Sequence, residues 1–120
     1  MKRILVALLG TCLLTLGAAH AADPQPAVVK PLLTKDLIGI DGREAVMLTV
    51  EYPPGGASTP HRHDAHVFVY VLEGSLIMQA DGREAVTLGP GGTFYESPDD
   101  VHRVSANASK TEREIGRAHV

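Results

Sequence analysis

The sequence predicts an all-β fold, built as one small antiparallel barrel or a two-layer sandwich. From residue 32 onward, turn signals recur about every 8 to 15 residues between runs rich in Val, Leu, Ile and Thr. No stretch shows the sustained 3.6-residue period that an amphipathic helix requires. A chain of 120 residues has room for one domain.

Two Asp-Gly pairs predict hairpins. Asp41-Gly42 and Asp81-Gly82 each stand between apolar runs, which favours type I′ turns because both residues tolerate positive φ. Residues 41–46 recur as residues 81–86, with the sequence DGREAV. We interpret the repeat as shared turn chemistry, and a duplicated unit is the alternative.

Three runs predict the strands of the core. Residues 46–52 alternate between apolar and mixed side chains, which indicates one buried face. Residues 67–72 are apolar on both faces and should therefore lie inside a sheet rather than at its edge. Residues 76–79 alternate again, and Glu73-Gly74 makes the connection to them.

The N-terminus has the features of an export signal. Lys2 and Arg3 precede the apolar run 4–16, and Ala19-His20-Ala21 supplies the small-x-small pattern of a cleavage site. The apolar run is shorter than the roughly 20 residues of a spanning helix. We therefore expect residues 1–21 to be a signal peptide, cleaved after Ala21, and the mature protein to be periplasmic or secreted. Residues 22–31 should form a linker.

The cysteine content and the balance of charged residues restrict the classes of function that the protein could have. Cys12 is the single cysteine and lies in the segment to be removed, so the mature chain should contain no disulfide. Lipid attachment at Cys12 is the alternative interpretation. Lys and Arg number 11 against 14 Asp and Glu, without a basic cluster or any Trp. This balance argues against nucleic acid and, after signal cleavage, against a membrane as partner.

Histidines carry the chemistry that the sequence suggests. Of six histidines, one leaves with the signal peptide and His119 lies near the C-terminus. The remaining four are His61, His63, His66 and His102. On a strand, His61 and His63 would project from the same face, so both imidazoles could bind one cation.

Two segments resemble the sequence motifs of the cupin superfamily. The first covers residues 60–74 and reads PHRHDAHVFVYVLEG, preceded by the turn PPGG at residues 53–56. The second covers residues 92–102 and reads GTFYESPDDVH, with Asn107 five residues later. The resemblance extends over about residues 28–110. It implies a small antiparallel jelly roll whose interior holds a divalent metal, Fe, Mn, Ni, Cu or Zn.

The resemblance also implies a ligand set. His61, His63 and His102 match three histidine ligands of the family, whereas Val67 and Phe68 occupy the positions where a glutamate ligand is expected. Two substitutes for this fourth ligand are available in the sequence, namely His66 and Glu96.

The second motif departs from the family pattern. Asp100 stands where the family has a glycine, and His102 comes one residue early. Asp99-Asp100 is typical of a turn, and Asp100 is a candidate for orienting a liganding histidine. The side chains expected to shape the pocket are Phe68, Tyr70, Met78 and Phe94.

Two functions fit these features. The first is an exported cupin that binds a divalent metal through three histidines and acts on a small molecule, as a dioxygenase or an isomerase does. The alternative is a non-catalytic cupin that binds or senses a metal or a small ligand. No Ser-His-Asp or Cys-His arrangement points to another enzyme class. The resemblance also implies homodimerisation.

The C-terminus does not look native. Residues 105–113 are polar where a jelly roll needs a closing apolar strand. Residues 115–120 read IGRAHV, which one frame of a widely used sequencing-library adapter encodes before a stop codon. We therefore expect residues 32–114 to be the domain, its final strand to be missing by truncation, and residues 115–120 to be a non-native tail. Re-sequencing the genomic locus tests this expectation.

Overall fold

The structure, a computed structural model, describes residues 23–120, so the predicted signal peptide and Cys12 lie outside the described residues. Within this range, no helix has the length and apolar character to cross a membrane. The described chain contains eight strands: β1 Val28–Asp36, β2 Glu44–Tyr52, β3 Val67–Glu73, β4 Leu76–Ala80, β5 Val86–Leu88, β6 Thr93–Glu96, β7 His102–Asn107 and β8 Glu114–His119.

The strands form two antiparallel sheets. The larger has the order β1-β2-β8-β3-β6, and the smaller has the order β5-β4-β7. Among residues 23–120, no ladder joins the two sheets into a closed barrel, so the fold is a jelly-roll sandwich. This confirms the all-β prediction and selects the sandwich over the barrel.

The core lies between the two sheets. Tyr52 and Val71 of the larger sheet pack against Leu76 and Met78 of the smaller one, and all four are buried. The predicted alternation of residues 76–79 is confirmed, because Leu76 and Met78 point inward. The burial of apolar surface between the sheets supplies most of the favourable free energy of folding of such a sandwich.

Both predicted hairpins are present, but their turn type differs from the prediction. Asp41-Gly42 lies between β1 and β2, and Asp81-Gly82 lies between β4 and β5. Only the glycines have positive φ, 69° at Gly42 and 72° at Gly82. Type I′ turns need positive φ at both central residues, so that assignment is wrong. Because each loop is longer than two residues, the aspartate need not adopt this conformation.

Strand β3 lies in the interior of the larger sheet, as predicted, between β8 and β6. Its two faces nevertheless have different surroundings. Val67 and Val71 are buried, whereas Phe68 is 56% exposed and Tyr70 is 46% exposed. The apolar character of both faces therefore correctly indicated an interior strand, although the outer face is covered by no other element of the described chain.

Gly74 allows the chain to pass from one sheet to the other. It follows β3, has a φ of 83°, and lies against β8. A Cβ atom at this position would stand 2.5 Å from the carbonyl oxygen of Arg113 and 2.8 Å from the Cα atom of Glu114. Only glycine fits here, which explains the Glu73-Gly74 connection that the sequence indicated.

Strand β1 begins at Val28, four residues before the predicted domain start. It pairs with β2 alone, and all nine of its residues are exposed. The register shifts between Pro31 and Leu33, which fits the restriction of proline to edge strands. Residues 28–31, predicted as part of a linker, therefore belong to the sheet.

The expected absence of a final strand is wrong. Strand β8 lies at the centre of the larger sheet, where it pairs with both β2 and β3. Backbone groups make this pairing, and alternation turns the small residues Gly116 and Ala118 inward, so a polar sequence can occupy the position. The boundary at residue 114 is not a boundary of the fold. The non-native origin of residues 115–120 stays a prediction.

Glu114 is an unusual core residue. Its side chain is fully buried, and neither carboxylate oxygen has a hydrogen-bond partner. It reaches over Gly116, where a Cβ atom would lie 3.3 Å from Oε1. Burial raises the pKa of this carboxyl from 4.5 to about 7. The folded protein therefore holds this proton more tightly than the unfolded chain does.

We expect the substitution Glu114→Gln to stabilise the fold at pH 8 and to change it little at pH 5. Ionisation of the buried Glu114 lowers the free energy of unfolding. This loss is absent below about pH 4.5, grows as the pH rises towards 7 and then stays constant. Its upper limit is on the order of 3 kcal/mol, at 1.36 kcal/mol per pKa unit. Urea denaturation at both pH values measures the difference. Glu112→Gln, at an exposed site, is the control. Equal effects of Glu114→Gln at the two pH values would contradict the assignment.

Candidate metal centre

A backbone bridge between two histidines builds the site. The long loop that follows β2 runs past the start of β7, where the His61 N–H donates to the His102 carbonyl at 3.1 Å and the His102 N–H donates to the His61 carbonyl at 2.7 Å. The two imidazole rings stand 5.1 Å apart between centroids. Two residues that are 41 positions apart in the sequence thus meet in one place.

His63 completes the histidine cluster. The Nε2 atoms of His61 and His63 lie 3.1 Å apart, and the two rings are nearly perpendicular, with an interplanar angle of 88°. His61 Nδ1 lies 2.8 Å from the carbonyl oxygen of Thr59, to which it can donate its proton. That hydrogen bond favours the tautomer whose Nε2 lone pair is free to bind a cation.

Glu96 contributes a carboxylate to the same cluster. It is the last residue of β6, and it is 2% exposed. Its Oε1 lies 2.9 Å from His102 Nδ1, and its Oε2 lies 3.9 Å from His63 Nε2. Alternation along β6 places Glu96 on the same face as Phe94, and both point inward. Phe94 stacks on the His102 ring at 6.0 Å between centroids.

Glu96 lies directly across the strand pair from a position where the first motif lacks a glutamate. Val67, at one of the two expected glutamate positions, is buried and faces the cavity. In the antiparallel pairing of β3 with β6, the residue directly opposite Val67 is Glu96. Cβ atoms of directly opposite residues lie about 4.5 to 5.5 Å apart. The carboxylate therefore stands one strand away from its expected position, on the same face.

These donor atoms fit a divalent cation. The ligand atoms of His61, His63 and His102 all lie within 4.8 Å of one another. Two nitrogen ligands bound at about 2.0 to 2.1 Å from one ion would be about 3.0 to 3.4 Å apart, close to the 3.1 Å between His61 and His63. His102 Nε2 and Glu96 Oε2 are buried without a hydrogen-bond partner, whereas His102 Nδ1 faces Glu96 Oε1 at 2.9 Å. A bound cation would satisfy these buried polar atoms.

The electrostatics of the cluster favour neutral imidazole at His63. Burial lowers the pKa of His63 below its usual 6.5, Glu96 opposes this effect, and His61 and His102 add to it. Metal ions bind the neutral form of histidine, so a lowered pKa suits a ligand.

His66, the other candidate for the fourth ligand, points away from the cluster. It is exposed, and its Nδ1 atom lies 2.7 Å from the hydroxyl oxygen of Tyr95 on the outer face of the sheet. The strict alternation of side chains along the strand explains this direction, since His66 directly precedes the inward-facing Val67. Of the two substitutes, the structure brings only Glu96 to the histidines.

The comparison with protein families matches this architecture. The model of the cupin domain family covers residues 48–115, more than half of the chain. The chain belongs to the cupin family. No curated protein matches it.

Solved structures of several cupins have a similar fold. An oxalate oxidase in complex with glycolate is 22% identical with a TM-score of 0.62, and the match covers 86% of this chain and 54% of that one. The present chain thus spans about half the length of the oxidase. A candidate mannose-6-phosphate isomerase from Ralstonia eutropha is 21% identical with a TM-score of 0.62, covering 82% and 90%. The cupin domain of an XRE family transcriptional regulator from Enterobacter cloacae is 29% identical with a TM-score of 0.60, covering 79% and 95%.

A cavity of about 160 Å³ adjoins the histidines of this cupin, between the two sheets. Of the four predicted pocket residues, only Met78 lines it. Phe68 and Tyr70 point outward and line a groove on the opposite face of the sheet. Phe94 faces inward but stacks on His102 instead of lining the cavity. Alternation along β3 and β6 decides these directions, so the predicted pocket positions of Phe68 and Tyr70 are wrong.

The cavity has other polar groups that were not predicted from the sequence. The Tyr52 hydroxyl bonds to the hydroxyls of Ser58 at 2.6 Å and Ser105 at 2.7 Å, and all three residues line the cavity. Glu114 lines it as well. The inward phase of Tyr52 was visible in the alternation of β2, but the serines carry no sequence signal that separates them from surface serines.

A carboxylate at position 67 should be able to replace the carboxylate of Glu96 in the site, because the two positions are directly opposite. We expect Glu96→Val to weaken Zn²⁺ binding at least tenfold, equivalent to about 1.4 kcal/mol, because a negatively charged donor is lost. Adding Val67→Glu to that variant should restore most of the affinity, since the two positions are directly opposite. Isothermal titration calorimetry measures both changes.

Glu73→Val, which removes an exposed carboxylate from the same strand β3, is the matched control and should bind as the wild type does. A double variant no better than Glu96→Val alone would contradict the cross-strand relationship.

Proposed function

We propose that this protein is an exported cupin that binds one divalent metal ion and acts on a small molecule in the adjoining cavity. His61, His63 and His102 would hold the ion, with Glu96 as the fourth ligand. The observation that carries this proposal is the convergence of three imidazoles beside the buried Glu96 carboxylate. Within this group, His102 Nε2 and Glu96 Oε2 are buried without a hydrogen-bond partner.

The donor set defines which ions suit the site. Imidazole nitrogens favour Fe, Ni, Cu and Zn, and a carboxylate extends the range to Mn. Three neutral imidazoles and one carboxylate around a divalent ion leave one net positive charge, which attracts an anionic or polar oxygen group of a substrate. When bound, such an ion supplies Lewis-acid chemistry or a site for O₂.

The residues of the chain contribute positioning and exclusion of water. The carbonyl oxygen of Thr59 holds His61 in one tautomer, and Phe94 covers one face of the His102 ring. Glu96 supplies negative charge at 2% exposure, where electrostatic interactions are stronger than in water. Apolar side chains such as Val50, Val69 and Met78 line the cavity and would orient the apolar part of a ligand.

The size of the cavity restricts the substrate. About 160 Å³ is close to the volume of an engineered cavity of about 150 Å³ that binds benzene. We therefore infer a substrate of similar size, with one oxygen-containing group directed to the metal.

The reaction class we favour is a dioxygenase- or isomerase-like conversion. Support comes from the similarity of the fold to an oxalate oxidase and to a candidate mannose-6-phosphate isomerase. Both similarities lie at 21 to 22% identity, so they support the class by analogy of fold.

A non-catalytic role in binding or sensing is the second candidate. The cupin domain of a transcriptional regulator has the higher identity, 29%, and the match covers 95% of that domain. In this alternative, the same site holds a metal or small ligand without converting it. Consumption of O₂ or conversion of a substrate by the metal-loaded protein separates the two functions.

Export rests on the N-terminal sequence. Lys2, Arg3, the apolar run 4–16 and Ala19-His20-Ala21 support cleavage after Ala21 and a periplasmic or secreted location. Mass spectrometry of the protein recovered from its native cell would show an N-terminus at residue 22.

Metal content tests the proposal. We expect near-stoichiometric Fe, Mn, Ni, Cu or Zn in protein purified without a chelating resin, and its loss in the double variant His61→Ala, His63→Ala, which removes two of the donor atoms. Elemental analysis by inductively coupled plasma mass spectrometry measures both.

His66→Ala provides the matched control, because this histidine precedes the same strand but faces outward. It should retain the metal of the wild type. Absence of metal from the wild type, even after incubation with each of the five ions, would refute the proposed function.

A further inference from the structure

The turn between β6 and β7 carries one donor residue at each end. Glu96 is the last residue of β6, and His102 is the first residue of β7. Between them, the Asp100 N–H donates to the Ser97 carbonyl at 3.1 Å and closes a tight turn. The separation of Glu96 Oε1 from His102 Nδ1, 2.9 Å, therefore depends on the conformation of five intervening residues.

The Asp100 side chain holds this turn from within. Its Oδ2 atom accepts a hydrogen bond from the Ser97 N–H at 2.8 Å, next to Glu96. The same oxygen accepts a second hydrogen bond from the Arg83 guanidinium. The Asp100 side chain is 18% exposed, so solvent screens this pair less than a fully exposed one. Arg83 belongs to the loop between β4 and β5, which ties the metal-site turn to the smaller sheet.

Two departures from the cupin pattern coincide at this turn. Asp100 replaces a glycine, and His102 arrives one residue early. A glycine could not supply either hydrogen bond of the Asp100 carboxylate. The two departures therefore coincide with a contact that stabilises the turn between Glu96 and His102.

A second ion pair joins the same two segments but leaves the turn untouched. Arg103 donates to Asp81 at 3.0 Å, and both side chains are more than half exposed. Among the described residues, neither side chain makes a hydrogen bond or an ion pair with Ser97, Glu96 or His102. This pair provides an internal comparison, because it has the same chemistry on neighbouring residues without a contact to the turn.

We propose that Arg83 and Asp100 are positioning residues that set the placement of Glu96 relative to His102, and thereby the affinity and geometry of the metal site. The inference rests on the proposed metal-binding function. It adds residues outside the donor set, and their effect is transmitted through the Ser97 backbone.

Cobalt binding tests this role. We expect Arg83→Gln and Asp100→Ala to weaken Co²⁺ binding about 10- to 100-fold, the range typical of residues that orient metal ligands. The visible absorption spectrum of the Co²⁺-loaded protein should change as well, because it reports ligand geometry. Arg83→Lys, which keeps the charge and a donor, should recover part of the affinity. Calorimetry and absorption spectroscopy measure these effects.

Arg103→Gln is the matched control and should bind Co²⁺ within twofold of the wild type with an unchanged spectrum. Circular dichroism of the metal-free variants confirms that each is folded. If the wild type binds Co²⁺ and the folded Arg83→Gln and Asp100→Ala variants match its affinity and spectrum, the positioning role is refuted while the metal site stands. Failure of the wild-type protein to bind Co²⁺ or any of the five ions named above would refute both the positioning role and the metal site.

Discussion

The reciprocal backbone hydrogen bonds between His61 and His102 are the constraint on which the site depends. They attach the loop after β2 to the first residue of β7, at 3.1 and 2.7 Å, and so bring two distant motifs together. His63 follows His61 by two residues and joins the cluster as a consequence. Glu96 reaches the same point from the larger sheet. The candidate metal site thus lies where a loop and both sheets meet.

Two buried carboxylates show how the surroundings determine the role of a charged group. Glu96 lies among three imidazoles, close to His102 and His63, where a cation would complete its interactions. Glu114 is equally buried, but neither of its oxygens has a partner, and burial raises its pKa to about 7. An isolated buried charge destabilises a fold, whereas a group of convergent donors can bind a ligand. The first carboxylate therefore lies in a candidate metal site, whereas ionisation of the second destabilises the fold.

Much of this architecture could be predicted from the sequence, and the failures have physical causes. Turn chemistry predicted the hairpins, and the apolar character of both faces predicted the interior position of β3. The two-residue spacing predicted the histidine pair. Alternation did not reveal that Phe68 and Tyr70 face outward, because both faces of β3 are apolar. The choice of Glu96 over His66 required the register between β3 and β6, which no local pattern contains. Strand β8 was missed because backbone pairing alone can place a polar segment at the centre of a sheet.

Anomalous diffraction from crystals of the Zn²⁺-loaded protein locates the metal ion itself. We expect one strong peak at about 2.0 to 2.2 Å from a nitrogen of each of His61, His63 and His102 and from a carboxylate oxygen of Glu96. An anomalous peak next to His66 on the outer face, or the absence of a peak between the two sheets of the protein in fully Zn²⁺-soaked crystals, would contradict this assignment.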